Sequence, residues 1–493
     1  MSGFSKYLKR YLEEREITAA ELAQEMQMDR STVFRYTTGT RAPSDIDIVR
    51  KMANALQMQN SDKIRLLEEY DRATLGEKTV NSYQYVRKLL GNLKNVTEKV
   101  CLDVGKWKQA AALLGTEGNI CLESRKEIEM CAAALFEAAK QENKEVYLLV
   151  QPVYREIQEQ VQRVFQGSSV KVEQIICLDQ DFWKSHENLD VLGMVLPLGF
   201  ADIVYEARYY YDAISSHFNE MCWMPNVILT ESQALLFDYK MLRGVFFQEE
   251  NIISVFRKQY GEMREQTQRM MVKLDGVDEA LKFYVEIEEK VFDEENPMML
   301  ETLGFQPCVG SCICSNIYEE CVYPFPGKDA FIQAMAGDRG DWEGLKRVCE
   351  QTGREIQTTS YFQMEGLREF METGIVREFP AGLYRPLPME KRKLVLGRIF
   401  RQIEEGNSVY RILSANIEIP ANIFFYLGDE KIFFMRVMPI TEKGFAQVQV
   451  LEKGIYSAFR RFVEYLEQRK LLCSSEESLE MLREFAEGYG VLW

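Results

Sequence analysis

Apolar residues at the start of the chain recur with a helical period. Phe4, Tyr7, Leu8, Tyr11 and Leu12 fall at i, i+3, i+4, i+7 and i+8, so they predict one buried stripe on a first helix. Thr18-Ala19-Ala20-Glu21 reads as a capping box that opens a second helix, with Leu22, Ala23 and Met26 facing inward. Asp29 is placed to cap a third helix with Val33 and Tyr36 inside, ending near Gly39, a residue that tolerates the left-handed backbone common at helix ends. Pro43 and Ser44 stop and restart the chain. Ile46, Val49, Met52, Ala53 and Leu56 predict a fourth stripe, and a fifth helix runs from about Asp62 to Arg72. The pattern predicts a compact five-helix bundle over residues 1–73.

Beyond it the period changes. Residues 74–123 read as a helical connector interrupted by glycines. A helix from Ser124 to about Gln141, the apolar run Glu145 to Pro152, a helix to Phe165 and a second apolar run from Val170 alternate as helix, strand, helix, strand. This predicts an α/β domain, a candidate sensor, over 124–297. From 298 to 493 an α+β domain is expected. Its strands start at Tyr410, Asn422, Lys431 and Ala446, with a tight hairpin at Leu427-Gly428-Asp429-Glu430. An amphipathic helix from about Ile455 to Glu467 is expected to cover one face of that sheet. No repeat of 30 to 45 residues occurs, which argues against a helical solenoid.

The N-terminal residues resemble the Cro/C1-type (XRE) helix-turn-helix family. The resemblance is carried by I-T-A-A-E-L-A-Q-E-M from Ile17, M-D-R-S-T-V-F-R-Y-T-T-G-T-R-A-P-S from Met28 and I-V-R-K-M-A-N-A-L from Ile48. It implies a lambda-repressor-like bundle whose third helix enters the major groove of double-stranded DNA. Arg30, Ser31, Thr32 and Arg35 are then candidates for base contact, Phe34 for a thymine methyl, and Thr38 and Arg41 for phosphates. Two positions depart from the family pattern. Ala19 stands where a phosphate-clamping glutamine is usual, and Gln27 stands at the turn position usually held by glycine.

Composition refines this picture. The 493 residues are 46% hydrophobic and 28% charged, values of an ordinary globular protein. No apolar run is long enough to span a bilayer, and the charged, amphipathic start is unlike a signal peptide, so a cytoplasmic protein is expected. The net charge of −16 is unusual for a DNA binder. Arg30, Arg35, Arg41, Arg50 and Lys51 nevertheless face only Asp45 and Asp47 within their own stretch, so a basic footprint sits on an acidic protein.

Catalytic signals are sparse. His186 and His217 are the only histidines, and no phosphate-cradling glycine motif occurs. Cys308, Cys312, Cys314 and Cys321 form the one thiol cluster; without paired knuckles it reads as buried cysteines, in a segment apolar enough for a strand. Asp179 with Asp181, and Asp338 with Asp341, read as solvated carboxylates, while Tyr209-Tyr210-Tyr211 is a candidate pocket wall. No catalytic set, metal site or cofactor is expected. The reading is a multidomain, homodimeric transcriptional regulator whose all-α DNA-binding bundle precedes a large mixed α/β body that answers an effector or partner. A DNA-tethered enzyme and an interaction scaffold remain the alternatives.

Overall fold

The computed structural model describes residues 2–93, 119–179, 187–212, 223–275, 279, 300–335, 358–379, 384–414, 417–428, 431–436 and 446–491. The chain forms two compact units, one of residues 1–87 with 457–472, the other of 88–456 with 473–493. His186, His217, Asp181, Asp338, Asp341, the 94–118 part of the connector and the tip of the 427–430 turn lie outside the described residues.

The first unit is built on α1 (Gly3–Glu14), α2 (Ala19–Glu25), α3 (Arg30–Thr38), α4 (Ile46–Ala55) and α5 (Asn60–Leu75), with the start of α6 (Glu77–Leu93). The predicted stripes close one core of Phe4, Leu8, Leu12, Leu22, Val33, Val49, Met52, Leu66 and Tyr70. Residues 457–472 complete this unit. Phe462 and Tyr465 stack on Tyr83, with ring centroids 5.8 and 3.9 Å away. The Arg469 guanidinium meets Asp71 at 2.5 Å, the Tyr465 hydroxyl donates to Asp71 at 2.5 Å, and Arg469 also donates to Thr74 at 2.6 Å. The sequence pattern set this helix against the C-terminal sheet. From Ser457 onward the helix is counted with the N-terminal unit, and its Phe462 and Tyr465 rings meet Tyr83 there; an amphipathic stripe states that a helix is buried and not what buries it.

The second unit holds two sheets. The first runs through β1 (Ile120–Leu122), α7 (Arg125–Glu142), β2 (Val146–Leu149), α8 (Arg155–Phe165), β3 (Ser168–Asp179), α9 (Glu187–Phe200), β4 (Ile203–Asp212), β5 (Asn226–Leu229), β6 (Ala234–Phe237), β7 (Gly244–Phe247), α10 (Glu250–Glu265) and β8 (Gln268–Arg269). Its strand order is β1-β7-β6-β5-β2-β3-β4-β8. β2, β3 and β4 are parallel, joined by the two helical crossovers, and β5, β6 and β7 form an antiparallel meander on the β2 edge. α10 packs Ile253 and Tyr260 against Ile175 and Leu229.

The second sheet collects β9 (Met271–Asp275), β10 (Glu301–Leu303), β11 (Thr358–Phe362), β12 (Ser408–Ile412), β13 (Ile423–Gly428), β14 (Lys431–Arg436) and β15 (Ala446–Val450). Between β10 and β11 lie α11 (Ser315–Cys321) and α12 (Lys328–Met335), and between β11 and β12 lie α13 (Met364–Thr373) and α14 (Met389–Glu404). After β15 come α15 (Lys453–Gln468) and α16 (Ser475–Gly488). Read from β9, the order is β9-β15-β14-β13-β10-β11-β12. Apart from β8, which has no counterpart, this repeats the order of the first sheet, with three parallel strands, an antiparallel meander and an edge strand closing on its last member.

The sequence echoes the repeat. Gln151-Pro152 follows β2 and Gln306-Pro307 follows β10, with both glutamines buried. Glu249-Glu250-Asn251-Ile252-Ile253-Ser254-Val255-Phe256-Arg257-Lys258 opens α10; Glu452-Lys453-Gly454-Ile455-Tyr456-Ser457-Ala458-Phe459-Arg460-Arg461 opens α15. The body is thus an internal duplication, on a scale far above a 30–45-residue period. The segment around Cys308 is also not a strand. It forms a 3-10 turn at Gly310–Cys312 followed by α11.

Candidate nucleic-acid interface

Local sequence fixes the frame of α2 and α3. The Thr18 hydroxyl accepts the Glu21 amide at 3.2 Å while the Glu21 carboxylate accepts the Thr18 amide at 2.7 Å, which closes the capping box. The turn then passes through Gln27, whose φ of 54° lies in the left-handed region, and Met28 donates its amide to Ala23 at 2.9 Å. Glycine would hold that backbone without the cost of a Cβ. Asp29 caps α3 by accepting the Thr32 amide at 3.1 Å, and Gly39 ends α3 at φ 77°. Tyr70 of α5 donates to the Pro43 carbonyl at 3.1 Å and pins the loop behind α3.

With Val33, Tyr36 and Thr37 buried, α3 turns its other side chains towards solvent. Arg30, Ser31, Phe34, Arg35 and Thr38 are exposed, Thr32 is half-buried, and Arg41 is exposed on the following loop. Phe34 leaves 58% of its surface open, which core packing does not explain. Arg30, Arg35 and Arg41 make no ion pair among the described residues, whereas Arg50 is bound to Asp47 at 2.8 Å. Two hydroxyls are already engaged. Ser31 donates to Asp29 at 2.5 Å, and Thr38 donates to the Phe34 carbonyl at 3.0 Å. The Ser31 hydrogen bond, then the Thr32 amide, hold the Asp29 carboxyl below its ordinary range. The seven candidates thus lie on α3 or the loop that leaves it.

The other candidates disperse. Cys308 donates to Glu378 at 3.5 Å, Cys312 to Gln402 at 3.3 Å and Cys314 to Asn316 at 2.7 Å, while Cys321 lies in the apolar core. Among the described residues no group of three or more such side chains is arranged to hold a metal. Along β4, Tyr210 lines an apolar cavity of about 330 Å³ with Leu149 and Met263. Tyr209 and Tyr211 pack edge to face on the opposite side, and Tyr211 donates to the buried Glu452.

Two polar groups escaped the sequence reading. Glu378, held by the Val309 and Gly310 amides, is fully enclosed, and burial pushes its carboxyl up to about 7. A Cβ on Gly310 would stand 2.6 Å from that carboxylate, so only glycine allows the approach. Glu173, inside the apolar run of β3, is also buried and is gripped by Arg264 and Lys171. A lone acid in an apolar strand was the only signal for it.

Residues 8–59 match the helix-turn-helix family model, so the N-terminal region is a Cro/C1-type helix-turn-helix. Comparison with curated proteins gives no match. Among solved structures, similarity is found to the archaeal chromatin protein TrmBL2, whose structure is described as showing a novel mode of DNA binding. Identity is 12% over 42% of this chain and 70% of that one, at a TM-score of 0.23. Polyphosphate kinase from Porphyromonas gingivalis aligns at 12% identity over 80% of this chain and 59% of that one, at a TM-score of 0.22. Superpositions this loose carry no argument about fold or function.

Proposed function

We propose that this chain is a sequence-specific DNA-binding transcriptional regulator that works in the cytoplasm as a homodimer, its duplicated body sensing an effector. The observation that carries the reading is the outward face of α3. Three uncommitted arginines and an exposed Phe34 stand on or beside the second helix of a helix-turn-helix frame. Docked in a major groove, the N-terminal end of α3 brings Arg30 to base edges, with Arg35 one turn further along. Each guanidinium bonds bidentately to guanine, an interaction worth about 1–3 kcal/mol of discrimination. Thr32 offers a hydroxyl proton, and Ser31, whose own proton goes to Asp29, offers an acceptor. Phe34 meets a thymine methyl and Arg41 takes a phosphate, joined by Thr38 once its hydroxyl turns from the Phe34 carbonyl. Two copies set their recognition helices about 34 Å apart on a pseudo-palindrome.

The chain passes between the units within α6, within α15 and from Leu472 to Cys473. An effector that binds two arrangements of the body unequally would act on the helix-turn-helix through these crossings. The enzyme alternative has one observation in its favour, the near-neutral Glu378 beside Cys308. That carboxyl is packed against Gly310, with no described cavity opening onto it, which favours a structural role.

The test is binding of the full chain to DNA from upstream of its own gene across a salt series, beside an Arg30→Ala/Arg35→Ala variant. Sequence-preferring, salt-sensitive binding that the variant loses is the expected result. Equal binding of any DNA by both proteins, or none by either, would sink the proposal.

A further inference from the structure

We infer that the trough between α10 and the β2–β3 surface is a binding site for a small polyanion, a metabolite carrying two or more phosphate or carboxylate charges. The cavity measures about 470 Å³, a size suited to a small molecule. Its helical wall is a stripe of α10, with Ser254, Arg257, Lys258, Gly261 and Arg264 at successive one-turn spacings. Its floor is Tyr147, Lys171 and Glu173.

The charges divide into two sets. Glu173 is buried and accepts Arg264 at 2.7 and 2.9 Å and Lys171 at 2.9 Å, while Lys171 also reaches Glu206 at 3.0 Å. Tyr147 donates to Glu145 at 2.6 Å. These contacts satisfy the acids of the cavity and fix its floor. Arg257 and Lys258 are different. Both line the cavity, and neither makes a hydrogen bond or ion pair among the described residues. Lys144 first, and Arg257 after it, draw the Glu231 carboxyl down. The lining nevertheless sets the four cations Lys171, Arg257, Lys258 and Arg264 against the two carboxylates Glu145 and Glu173, a local positive well in a protein of net charge −16. Arg257 supplies a bidentate fork for a phosphate or carboxylate, and Lys258 a second point of charge. Gly261 stands between them and Arg264, and a Cβ there would meet nothing within 4 Å, so the wall is open where a ligand would lie.

The test is calorimetric titration of the full chain, without DNA, at constant ionic strength. Inorganic pyrophosphate and citrate are the probes, distinguishing phosphate from carboxylate chemistry. Saturable binding of at least one of them, about one per chain with Kd below about 1 mM, is expected. Arg257→Ser/Lys258→Ser should weaken it at least about tenfold. Gly261→Leu fills the trough without removing charge; it should abolish binding with no loss of thermal stability. Absence of saturable heat with both probes would overturn the inference, as would binding that survives Gly261→Leu or that disappears with Arg30→Ala/Arg35→Ala. Because no DNA is present, failure here leaves the DNA-binding proposal standing, and the reverse also holds.

Discussion

Gln27 and Glu378 each keep a local cost in place. Gln27 holds a left-handed backbone at φ 54° in the turn between α2 and α3, where an L side chain costs about 1–2 kcal/mol. Gln27→Gly should therefore stabilise the turn by about 1 kcal/mol, read as several-fold slower amide exchange in α2 and α3 of the full chain. Unchanged or faster exchange would mean that the glutamine is held by contacts that repay its strain. For Glu378 the sign of the pH effect follows from its position. The ordinary value of 4.5 applies to the unfolded chain and about 7 to the folded one. Above pH 7 the folded state carries the full penalty of a buried charge, about 3 kcal/mol. As the pH falls from 7 towards 4.5 the folded carboxyl is protonated first, and the penalty disappears. Urea denaturation should show the native protein gaining stability relative to Glu378→Gln across that window as the pH falls. A pH-independent difference between the two would place the titration of Glu378 elsewhere.

At the scale of elements, α10 and α15 open alike and are buried differently. Where α15 carries Phe462 and Tyr465, the corresponding positions of α10 hold Gln259 and Glu262. Two aromatic rings on the outer side recruit Tyr83, and the polar pair on α10 recruits nothing comparable. Asp71 and Arg469 add an ion pair that is nearly all buried, and burial raises the Asp71 carboxyl despite the Tyr465 and Arg469 contacts. Removing one partner strands the other, so Asp71→Ala should cost the N-terminal unit about 3 kcal/mol. Asp71→Ala/Arg469→Met should recover much of that loss, because the uncompensated charge is gone. Equal losses in the single and double variants, measured by denaturation, would show that the pair does not interact energetically.

For the whole molecule, the net charge of −16 would confine DNA in the proposed complex to the face of α3. Arg30 and Arg35 act on bases and Arg41 on a phosphate in the proposed complex. Arg41→Ala should therefore weaken all sequences alike and lower the slope of log K against log salt by about 0.9. A loss restricted to the preferred sequence would reassign Arg41 to base contact. Homodimerisation is read by sedimentation of the full chain alone and on a two-half-site DNA. A species that is monomeric in both would remove the palindrome from the proposal.

The sequence by itself determined the N-terminal unit closely, because local rules dominate there. Thr18 and Asp29 cap, Gly39 terminates, and stripes of period 3.6 leave one way to close five short helices. The strands at Val146, Ser168, Ser408 and Ile423 were also legible, being apolar runs with clear stops. The pairing of those strands was not, since β2 with β5 and β10 with β13 join residues far apart, and backbone hydrogen bonds carry little sequence information. Only the tertiary structure decided that the body is duplicated, that residues 457–472 belong with the N-terminal helices, and that Arg257 and Lys258 share a cavity with a buried glutamate. Each depends on which surfaces meet, and hydrophobicity along a chain says that a surface is buried without naming its partner.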